Sequence, residues 1–367
     1  MKAAVVYEYG KPIEVAEITL GGLADNDVLV RIEASGLCHS DVAVQEGGLP
    51  FPTPNIVGHE GAGVVEEVGR GVTSVKPGDH VVLSALMSCG LCAYCQKGRP
   101  NLCAWGLPTI FGCKHPDGAF RAADAKGRDL YQFACIGTLA SKTIVPEISV
   151  IKIPEDVPFE VAALVGCGVV TGLGAVFNRA KVAPGATTAV IGCGGVGLNV
   201  IQGCRIAGAT TIIAIDPVVS KRDLALEFGA THVFDPTAEP VVERIVELTG
   251  GVGADYVFEC VGKGALFRQA WDACGVDGTL VAIGVASTED ITELPSQAFS
   301  TSEKTLMSCL YGTSRPRMDM PLYLELYRQG RLKLDELVTT RYPIEQVNEA
   351  IADMHAGVNA RGVIVMA

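Results

Sequence analysis

The hydrophobic positions follow two different patterns along the chain. Up to about residue 168, short valine and isoleucine runs are interrupted by glycine, proline and aspartate, as in VLVRIEASG and GHEGAGVVEEVG. This pattern predicts irregular β structure with few helices. From residue 169, apolar strand candidates alternate with helical stretches; the candidates are TTAVIG (187–192), TTIIAID (210–216), ADYVFEC (254–260) and GTLVAIG (278–284). The alternation predicts a parallel sheet with helices on both faces.

The last part of the chain combines a helix and a strand. After Tyr311 comes a helical segment, MPLYLELYRQG, followed later by an apolar strand, RGVIVMA. A chain of 367 residues is longer than one hydrophobic core usually serves. We therefore expect two domains, a mostly β domain formed by residues 1–168 and 312–367 and a doubly wound α/β domain formed by residues 169–311.

Composition and charge exclude several classes of function. A net charge of −12 without a cluster of lysine and arginine argues against nucleic-acid binding. The apolar runs, such as residues 161–170, are interrupted by glycine and are shorter than the roughly 20 residues that span a bilayer, so we expect no membrane segment. The first residues lack the long apolar region of a secretory signal, and we expect a cytoplasmic protein. There, 13 cysteines favour metal ligation over disulfides.

A glycine-rich turn indicates a dinucleotide site. The sequence G-C-G-G-V-G, residues 192–197, lies between the strand TTAVI and a helical stretch. In such a turn Gly192 permits the bend, Gly194 lets the backbone approach a pyrophosphate, and Gly197 lets helix and strand pack closely. The helix N-terminus attracts the anion. An ordinary glycine turn is the alternative.

Asp216 strengthens the dinucleotide interpretation. It ends the next strand candidate, where a carboxylate receives ribose hydroxyls and repels a 2′-phosphate. No arginine follows it at once, so the sequence favours NAD over NADP. A turn aspartate before Pro217 is the alternative for Asp216. Lys221 is either a further ribose contact or a solvated surface charge.

Four cysteines occupy one short stretch. Cys89, Cys92, Cys95 and Cys103 have the spacing C-x2-C-x2-C-x7-C, and glycines between them allow the chain to wrap around an ion. Four thiolates favour a closed tetrahedral zinc site, which is structural because no coordination position remains for a substrate. An iron–sulfur cluster and two disulfides are the alternatives.

Three further candidate ligands are scattered along the chain. They are Cys38 in GLCHSD, His59 in GHEGAG and Cys167 in VGCG. Spacing does not connect them, and a buried, unreactive cysteine is the ordinary alternative. Two thiolates and a neutral imidazole would cancel the charge of Zn²⁺ and leave a fourth position open, and Cys2His is an established catalytic zinc set.

Taken together, these motifs resemble the zinc-containing medium-chain alcohol dehydrogenases over essentially the whole chain. GLCHSD, GHEGAG, the four-cysteine stretch, LVGCGVVTG, AVIGCGGVGL, IAID and ARGVIV occur in the order of that family. The resemblance implies a GroES-like catalytic domain and an NAD-binding Rossmann domain. It also implies two zinc ions per chain, NAD as cofactor, and the reversible oxidation of a primary alcohol, aryl or medium-chain, to its aldehyde.

The resemblance assigns roles to individual residues. Cys38, His59 and Cys167 would hold the catalytic zinc, with Glu60 able to bind it transiently and Asp41 orienting the His59 ring. Ser40 would receive the proton of the alcohol. The remaining assigned residues would contact the cofactor: Gly192, Gly194, Gly195, Val196, Gly197, Asp216 and Lys221 in the turn and at the ribose, Thr171 and again Val196 at the nicotinamide, and His39 and Arg361 at the pyrophosphate.

Three positions depart from the family pattern. Ala43 stands where many relatives have the histidine that ends the proton relay, which leaves the last step of proton release open. Leu49 and Leu107 stand where the glutathione-dependent formaldehyde enzymes have an acidic residue and an arginine. These two leucines argue against a glutathione adduct as substrate.

A fourth position concerns the size of the substrate. Ala85 stands where the family has a bulky aromatic residue at the inner wall of the alcohol pocket. The missing ring leaves room, so we expect aromatic or longer primary alcohols to bind better than ethanol. The alternative is that another side chain fills the space; the candidates are Leu86, Met87, Trp105 and Phe111.

Two other functions and one assembly are compatible with these features. A polyol or secondary-alcohol dehydrogenase of the same superfamily is the alternative enzyme. A zinc-free reductase or a non-catalytic nucleotide-binding relative is opposed by the complete set of ligands. The segments around GTLVAIG and LMSCLYG could extend the sheet across a two-fold axis. The resemblance, together with the long segment from Ala104 to Cys135, implies a homodimer, with a tetramer as the alternative.

Overall fold

The computed structural model describes residues 1–366, so Ala367, the last residue of the predicted strand RGVIVMA, lies outside the described residues. The chain divides into two compact units. The first unit contains Met1–Val170 and the chain from Arg315 onward, and the second contains Thr171–Ser314. The expected boundaries, after residues 168 and 311, lie within a few residues of these.

Strands and helices are numbered here in chain order over the described residues. Those of the first unit are β1 (Lys2–Val6), β2 (Glu14–Leu20), β3 (Asp27–Gly36), α1 (His39–Glu46), β4 (Asn55–Ile56), β5 (Glu60–Val68), β6 (His80–Leu83), α2 (Ala93–Gln96), α3 (Gly106–Gly112), β7 (Ala122–Asp124), β8 (Asp129–Gln132), β9 (Lys142–Pro146), β10 (Val150–Lys152), α4 (Phe159–Leu164), α11 (Pro316–Arg328), β17 (Val338–Pro343), α12 (Val347–His355) and β18 (Arg361–Val365). Those that follow α4 and precede α11 are α5 (Val170–Gly174), β11 (Thr187–Ile191), α6 (Gly195–Ala207), β12 (Thr211–Ile215), α7 (Val219–Phe228), β13 (His232–Phe234), α8 (Val241–Leu248), β14 (Ala254–Glu259), α9 (Gly264–Ala273), β15 (Cys274–Ala282), α10 (Ser296–Thr301) and β16 (Thr305–Ser308).

The first unit is mostly β, as expected. Five strands close a barrel in the order β1-β2-β7-β8-β4, and a seven-stranded sheet runs β10-β6-β5-β3-β18-β17, with β9 paired to β3. Val28, Val30 and Ile32 alternate along β3 with more exposed residues, so one face of this central strand packs into the core. Burial of such apolar side chains stabilises the sheet.

The register of three central strands determines where the chemistry lies. Gly36 at the end of β3 is opposite Glu60 at the start of β5 and opposite Val363 in β18. The residues that follow β3, those that begin β5 and those that begin β18 are therefore neighbours in space. These are the segments that contain GLCHSD, GHEGAG and ARGVIV.

The second unit is a parallel α/β sheet. Its strand order is β13-β12-β11-β14-β15-β16, and all five pairs are parallel. Counted from β11, this is the order 3-2-1-4-5-6 of a dinucleotide-binding Rossmann sheet. The predicted fold class is confirmed. Strands β13 and β16 were not separate predictions because they are only three and four residues long and largely half-buried or exposed.

The apolar stretch that includes residues 161–170 is longer than expected from its glycines. Helical residues continue from Phe159 to Ala180, a stretch that passes the length and composition test for a membrane span. The glycines of this stretch do not end it, because α4 and α5 continue into π-helical turns at Val165–Val169 and Ala175–Ala180. However, 83% of its most apolar window is buried inside the protein, as in a core helix.

A buried ionic cluster fastens the segment after α3 to the central sheet. Asp27, at the start of β3, accepts hydrogen bonds from His115 Nδ1 at 3.2 Å, Arg121 Nε at 2.5 Å and the Ala24 N–H at 3.0 Å. The side chains of Asp27, His115 and Arg121 are almost fully buried. Burial by itself raises the pKa of Asp27, but the bonds to His115 and Arg121 outweigh it and lower the pKa to about 2.

We predict that Asp27→Asn destabilises the protein by about 3–5 kcal/mol, because the buried Arg121 charge loses its buried partner and keeps only the half-exposed Asp117. Asp117 also pairs with Arg121 but is 48% exposed, so Asp117→Asn should cost at most about 1 kcal/mol. The Asp27 contribution is present above the ordinary carboxyl pKa of 3.8 and is lost as pH falls towards 2. Urea unfolding at pH 7 and pH 3 measures the free energy of unfolding of each variant and its dependence on pH. Equal decreases in this free energy for Asp27→Asn and Asp117→Asn would contradict the central role of Asp27.

Candidate functional site

The structure brings the scattered candidate ligands together. Cys38 follows β3 and caps α1, His59 directly precedes β5, which begins at Glu60, and Cys167 lies in the helical residues after α4. One ligand atom from each of these four residues lies within 4.8 Å of the others. The pairing of β3 with β5 therefore creates a cluster that spacing along the chain does not show.

Asp41 organises this cluster. Its Oδ2 accepts the N–H of Cys38 at 3.0 Å, which caps the first turn of α1. Its Oδ1 accepts the N–H of Gly58 at 2.9 Å and the Nδ1–H of His59 at 3.1 Å. With Nδ1 occupied, Nε2 is the nitrogen of His59 that remains available as a ligand.

The charges of the cluster fit a divalent metal. A hydrogen bond between the two sulfurs lowers the pKa of Cys38 well below its ordinary value and raises that of Cys167. Burial alone would lower the pKa of His59, but Asp41 and Cys38 raise it. The two thiols and the imidazole thus compete for protons that a metal ion would replace. Two sulfurs and one nitrogen form a catalytic zinc set with one open position.

A buried ion pair lies against the ligands. Arg361 Nη2 donates to Glu60 Oε2 and, at 3.2 Å, to the carbonyl of Leu37. Burial raises the pKa of Glu60 to about 7, and its Oε1 has no hydrogen-bond partner among the described residues. The sequence assigned Arg361 to the pyrophosphate; its pairing with Glu60 was not foreseen.

Two glycines make room for this pair. A Cβ atom on Gly36 would lie 2.1 Å from Glu60 Oε2, and one on Gly168 would lie 2.4 Å from Arg361 Nη1. Real Cβ contacts are essentially never that short. Each position therefore requires glycine if the pair is to stay where it is.

The first turn of α1 carries two more predicted residues. Ser40 is half-buried, and its Oγ lies 3.8 Å from Cys38 Sγ. His39 is exposed. Ala43, one turn further along α1, is half-buried and has no titratable group. Ser40 is therefore the hydroxyl that the structure places beside the candidate metal ligands.

Aromatic rings extend outward from His59, and sequence reasoning did not identify two of them. Phe133 packs edge-on against the His59 ring, with centroids 5.0 Å apart, and also against Phe51 at 4.8 Å. Phe51 stacks on Phe111 at 5.4 Å, and Phe111 is 57% exposed. Half-buried Ala85 packs against the same apolar cluster as Phe51 and Phe133. Single phenylalanines carry no spacing signal, so only the fold reveals this series.

The four-cysteine stretch forms a second cluster. The sulfurs of Cys89, Cys92, Cys95 and Cys103 lie within 4.8 Å of one another, and all four cysteines are free. Backbone N–H groups of Cys89 and Gly106 donate to the Cys103 sulfur at 3.3 and 3.2 Å. Hydrogen bonds from the backbone lower the pKa of Cys92 to about 6. This donor set fits a closed tetrahedral zinc site.

The glycine turn of the second unit has the shape of an anion cradle. Gly192 follows β11 with φ +92°, and a Cβ on Gly197 would lie 1.8 Å from the Gly192 carbonyl oxygen. A Cβ on Gly194 would meet no atom within 4 Å, so open space adjoins the N-terminus of α6. Gly195 and Val196 are the first residues of that helix. The geometry fits a pyrophosphate.

Three predicted residues surround this turn. Asp216 follows β12; its Oδ2 accepts the Cys193 N–H and its Oδ1 the Val218 N–H, both at 2.9 Å. Thr171 is nearly buried on α5, and a Cβ on the adjacent Gly172 would lie 2.6 Å from the Val196 carbonyl oxygen. Lys221 is half-buried on α7.

The structure also shows a residue that the sequence analysis passed over. Arg222 on α7 donates through Nη1 to the Asp216 carbonyl oxygen at 2.6 Å, and its Nη2 lies 3.0 Å from Asp235 Oδ2. Its spacing of six residues from Asp216 gave no signal, because the sequence argument considered only an arginine immediately after the carboxylate.

A Cys2His cluster in a mostly β unit and a glycine turn in a parallel α/β unit define a zinc-dependent dehydrogenase of the medium-chain type. Residues 24–155 match the alcohol dehydrogenase GroES-like domain, and residues 195–329 match the zinc-binding dehydrogenase family. The chain is 43% identical to an NDMA-dependent alcohol dehydrogenase from Amycolatopsis methanolica, over 99% of this chain and 98% of the relative.

Solved structures agree with this assignment. A zinc-binding alcohol dehydrogenase domain protein from Burkholderia ambifaria superposes with a TM-score of 0.95 at 38% identity, covering 100% of this chain and 98% of the other. Benzyl alcohol dehydrogenase from Acinetobacter calcoaceticus superposes with a TM-score of 0.91 at 31% identity, covering 100% and 99%. The chain belongs to the zinc-containing medium-chain alcohol dehydrogenase family and is an oxidoreductase. The predicted family and enzyme class are confirmed.

We predict that Cys95→Ser leaves the Cys38 cluster intact but removes one zinc ion per chain and lowers the melting temperature, because a structural zinc site contributes folding free energy. Gln96→Ser, an exposed neighbour on the same short helix, serves as the control. Elemental analysis and thermal unfolding measure both properties. An unchanged zinc content together with an unchanged melting temperature in Cys95→Ser would disprove a structural role for this cluster.

Proposed function

We propose that the protein is an NAD-linked alcohol dehydrogenase with two zinc ions per chain, acting reversibly on primary aryl or medium-chain alcohols. The observation that carries the proposal is the Cys38–His59–Cys167 cluster, which lies directly against an aromatic series. The Phe133 ring beside His59 suits a substrate that would place a polar oxygen at the ligand cluster and an apolar body against the rings. The similarity to a benzyl alcohol dehydrogenase supports this substrate class.

The residues of the chain have distinct tasks in the proposed reaction. Zinc bound by Cys38, His59 and Cys167 would supply Lewis acidity towards the alcohol oxygen, and NAD would accept the hydride. Ser40 receives the alcohol proton at its Oγ. Asp41 keeps the His59 ring in the orientation that presents Nε2.

The neighbours of the cluster protect and orient the reactants. Phe133 and Phe51 exclude water from one side of the cluster, which favours hydride transfer between closely placed carbons. Glu60 has a carboxylate oxygen that is not hydrogen-bonded, close enough to exchange with another ligand. Ala43 has no group that can accept a proton, so the side chain at position 43 is not the final acceptor of the proton that Ser40 receives.

We propose NAD rather than NADP as the cofactor, with a kcat/KM for NAD at least about ten times that for NADP. Asp216 is fixed beside the glycine turn by two backbone N–H groups, and its negative charge opposes a 2′-phosphate. Because one relative is named as NDMA-dependent, the assay compares NAD alone with NDMA as the electron acceptor. Turnover with NAD alone supports a nucleotide that binds and leaves in each catalytic cycle. Turnover that requires NDMA contradicts the use of NAD as the exchanging electron acceptor.

We further propose a cytoplasmic homodimer. None of the cysteines among residues 1–366 forms a disulfide, which suits a reducing compartment. Strand β16 lies at the edge of its sheet, and near it the exposed apolar side chains include Leu306 and Leu310. An unpaired apolar edge favours pairing with a second copy across a two-fold axis. Light scattering should give about twice 38.4 kDa; four times that mass would indicate the tetramer.

We predict that Ser40→Ala lowers turnover by roughly 10²–10⁴, the usual contribution of a positioned proton-transfer group. Zinc content and NAD affinity should be retained, because Ser40 is not a metal ligand. Ser141→Ala is the control, since that hydroxyl bonds only to the Lys2 carbonyl oxygen. Steady-state and single-turnover kinetics measure the effect. If the hydride-transfer rate of Ser40→Ala equals that of the parent, Ser40 has no part in the reaction.

We predict that hexanol and benzyl alcohol exceed ethanol in kcat/KM by roughly 30-fold, equivalent to about 2 kcal/mol of apolar burial. Ala85→Phe should reduce this advantage because the added ring occupies the same space, while the ethanol rate should stay within about twofold. Among the alternative occupants of the space beside Ala85, Leu86 and Met87 are buried and Phe111 stacks on Phe51. A parent that prefers ethanol, or an unchanged ranking in Ala85→Phe, would refute the proposal.

A further inference from the structure

Arg222 joins the carboxyl ends of two neighbouring strands in the second unit. It bonds to the Asp216 carbonyl oxygen at the end of β12 and to the Asp235 carboxylate just after β13. The Asp216 N–H also donates to the Phe234 carbonyl oxygen at 3.3 Å. Both the carbonyl oxygen and the N–H of Asp216 are therefore hydrogen-bonded, which fixes the backbone at this residue.

The same arrangement fixes the carboxylate that faces the cofactor ribose in the proposed function. Asp216 accepts N–H groups from Cys193 in the glycine turn and from Val218. A carboxylate oxygen has two lone pairs, so both oxygens keep one for ribose hydroxyls. Arg222 thus positions the proposed ribose-binding carboxylate through its hydrogen bond to the Asp216 backbone.

The charges of the pair cancel within a few ångströms. Arg222 is 13% exposed and Asp235 24% exposed, so the Arg222 charge is poorly screened by water. Asp235 is held in place by the N–H and hydroxyl of Thr237, at 2.9 and 2.6 Å. Without Asp235, a buried guanidinium would remain next to Asp216 and offset its negative charge. Guanidinium groups bind phosphate strongly.

We propose that the Arg222–Asp235 ion pair determines cofactor specificity: Arg222 positions Asp216, and Asp235 neutralises the guanidinium that would otherwise attract a 2′-phosphate. The inference rests on the proposed use of NAD. It assigns a role in cofactor specificity to an ion pair that is hydrogen-bonded to the Asp216 backbone. It also explains how an arginine can lie close to the ribose site of an enzyme that discriminates against NADP.

Calorimetric titration of the full-length, zinc-loaded protein, freed of bound nucleotide, with NAD and NADP tests the inference. Asp235→Asn keeps the shape of the side chain. In this variant the Kd for NADP divided by the Kd for NAD should fall about five- to tenfold, mainly because NADP binds more tightly. In Arg222→Met the ratio should not fall, while NAD binding weakens about threefold or more because Asp216 loses its anchor. The double variant should regain the parent ratio within about twofold.

The matched control is Asp223→Asn, which removes the same charge from an exposed position on α7. Its ratio should differ from that of the parent by less than about twofold. Equal changes in NAD and NADP affinity in Asp235→Asn would overturn the inference, because a purely structural role moves both constants together. A parent that binds neither nucleotide would overturn the proposed function as well, so the two failures are distinguishable.

Discussion

The hydrogen bonds to the Asp41 carboxylate are the interactions on which the arrangement of the candidate metal ligands depends. This carboxylate receives the N–H of Cys38 from α1, the N–H of Gly58 before β5 and the Nδ1–H of His59, all at 2.9–3.1 Å. The buried Asp41 carboxylate therefore caps the start of α1 and, by binding Nδ1, leaves Nε2 of His59 to face the candidate ligands. The capping requirement of a short helix and the orientation requirement of a metal ligand are met by the same atoms, so neither can change alone.

Features that are contiguous in the chain could be predicted from the sequence. The turn at Gly192–Gly197 and the cysteines from Cys89 to Cys103 each combine several residues in one stretch, so their spacing carries geometric information. Strand and helix in the second unit follow from apolar periodicity for the same reason. The Cys38, His59 and Cys167 cluster could be identified only through resemblance to a family, because its members meet through the pairing of β3 with β5.

Features that depend on side-chain packing were not accessible from the sequence. Phe133 and Phe51 have no pattern that distinguishes them from ordinary core residues, although they pack beside His59. Arg222 reaches Asp216 because α7 packs beside the end of β12, and its partner Asp235 directly follows β13, a strand of only three residues. The uninterrupted helical stretch from Phe159 was underestimated because its glycines suggest breaks, whereas burial and π-helical turns maintain it.

The space left by Gly36 and Gly168 has a consequence for how this protein can evolve. Both glycines lie against the same buried ion pair, so a larger residue at either site requires the Glu60 or Arg361 side chain to move from its position in the pair. Losing one member of that pair alone leaves an uncompensated buried charge, which is strongly destabilising. Stepwise mutation therefore meets a barrier around the metal. Positions such as Ala85 are half-buried and outside the ion pair, so they offer the accessible paths by which substrate range can diverge while the metal cluster is inherited unchanged.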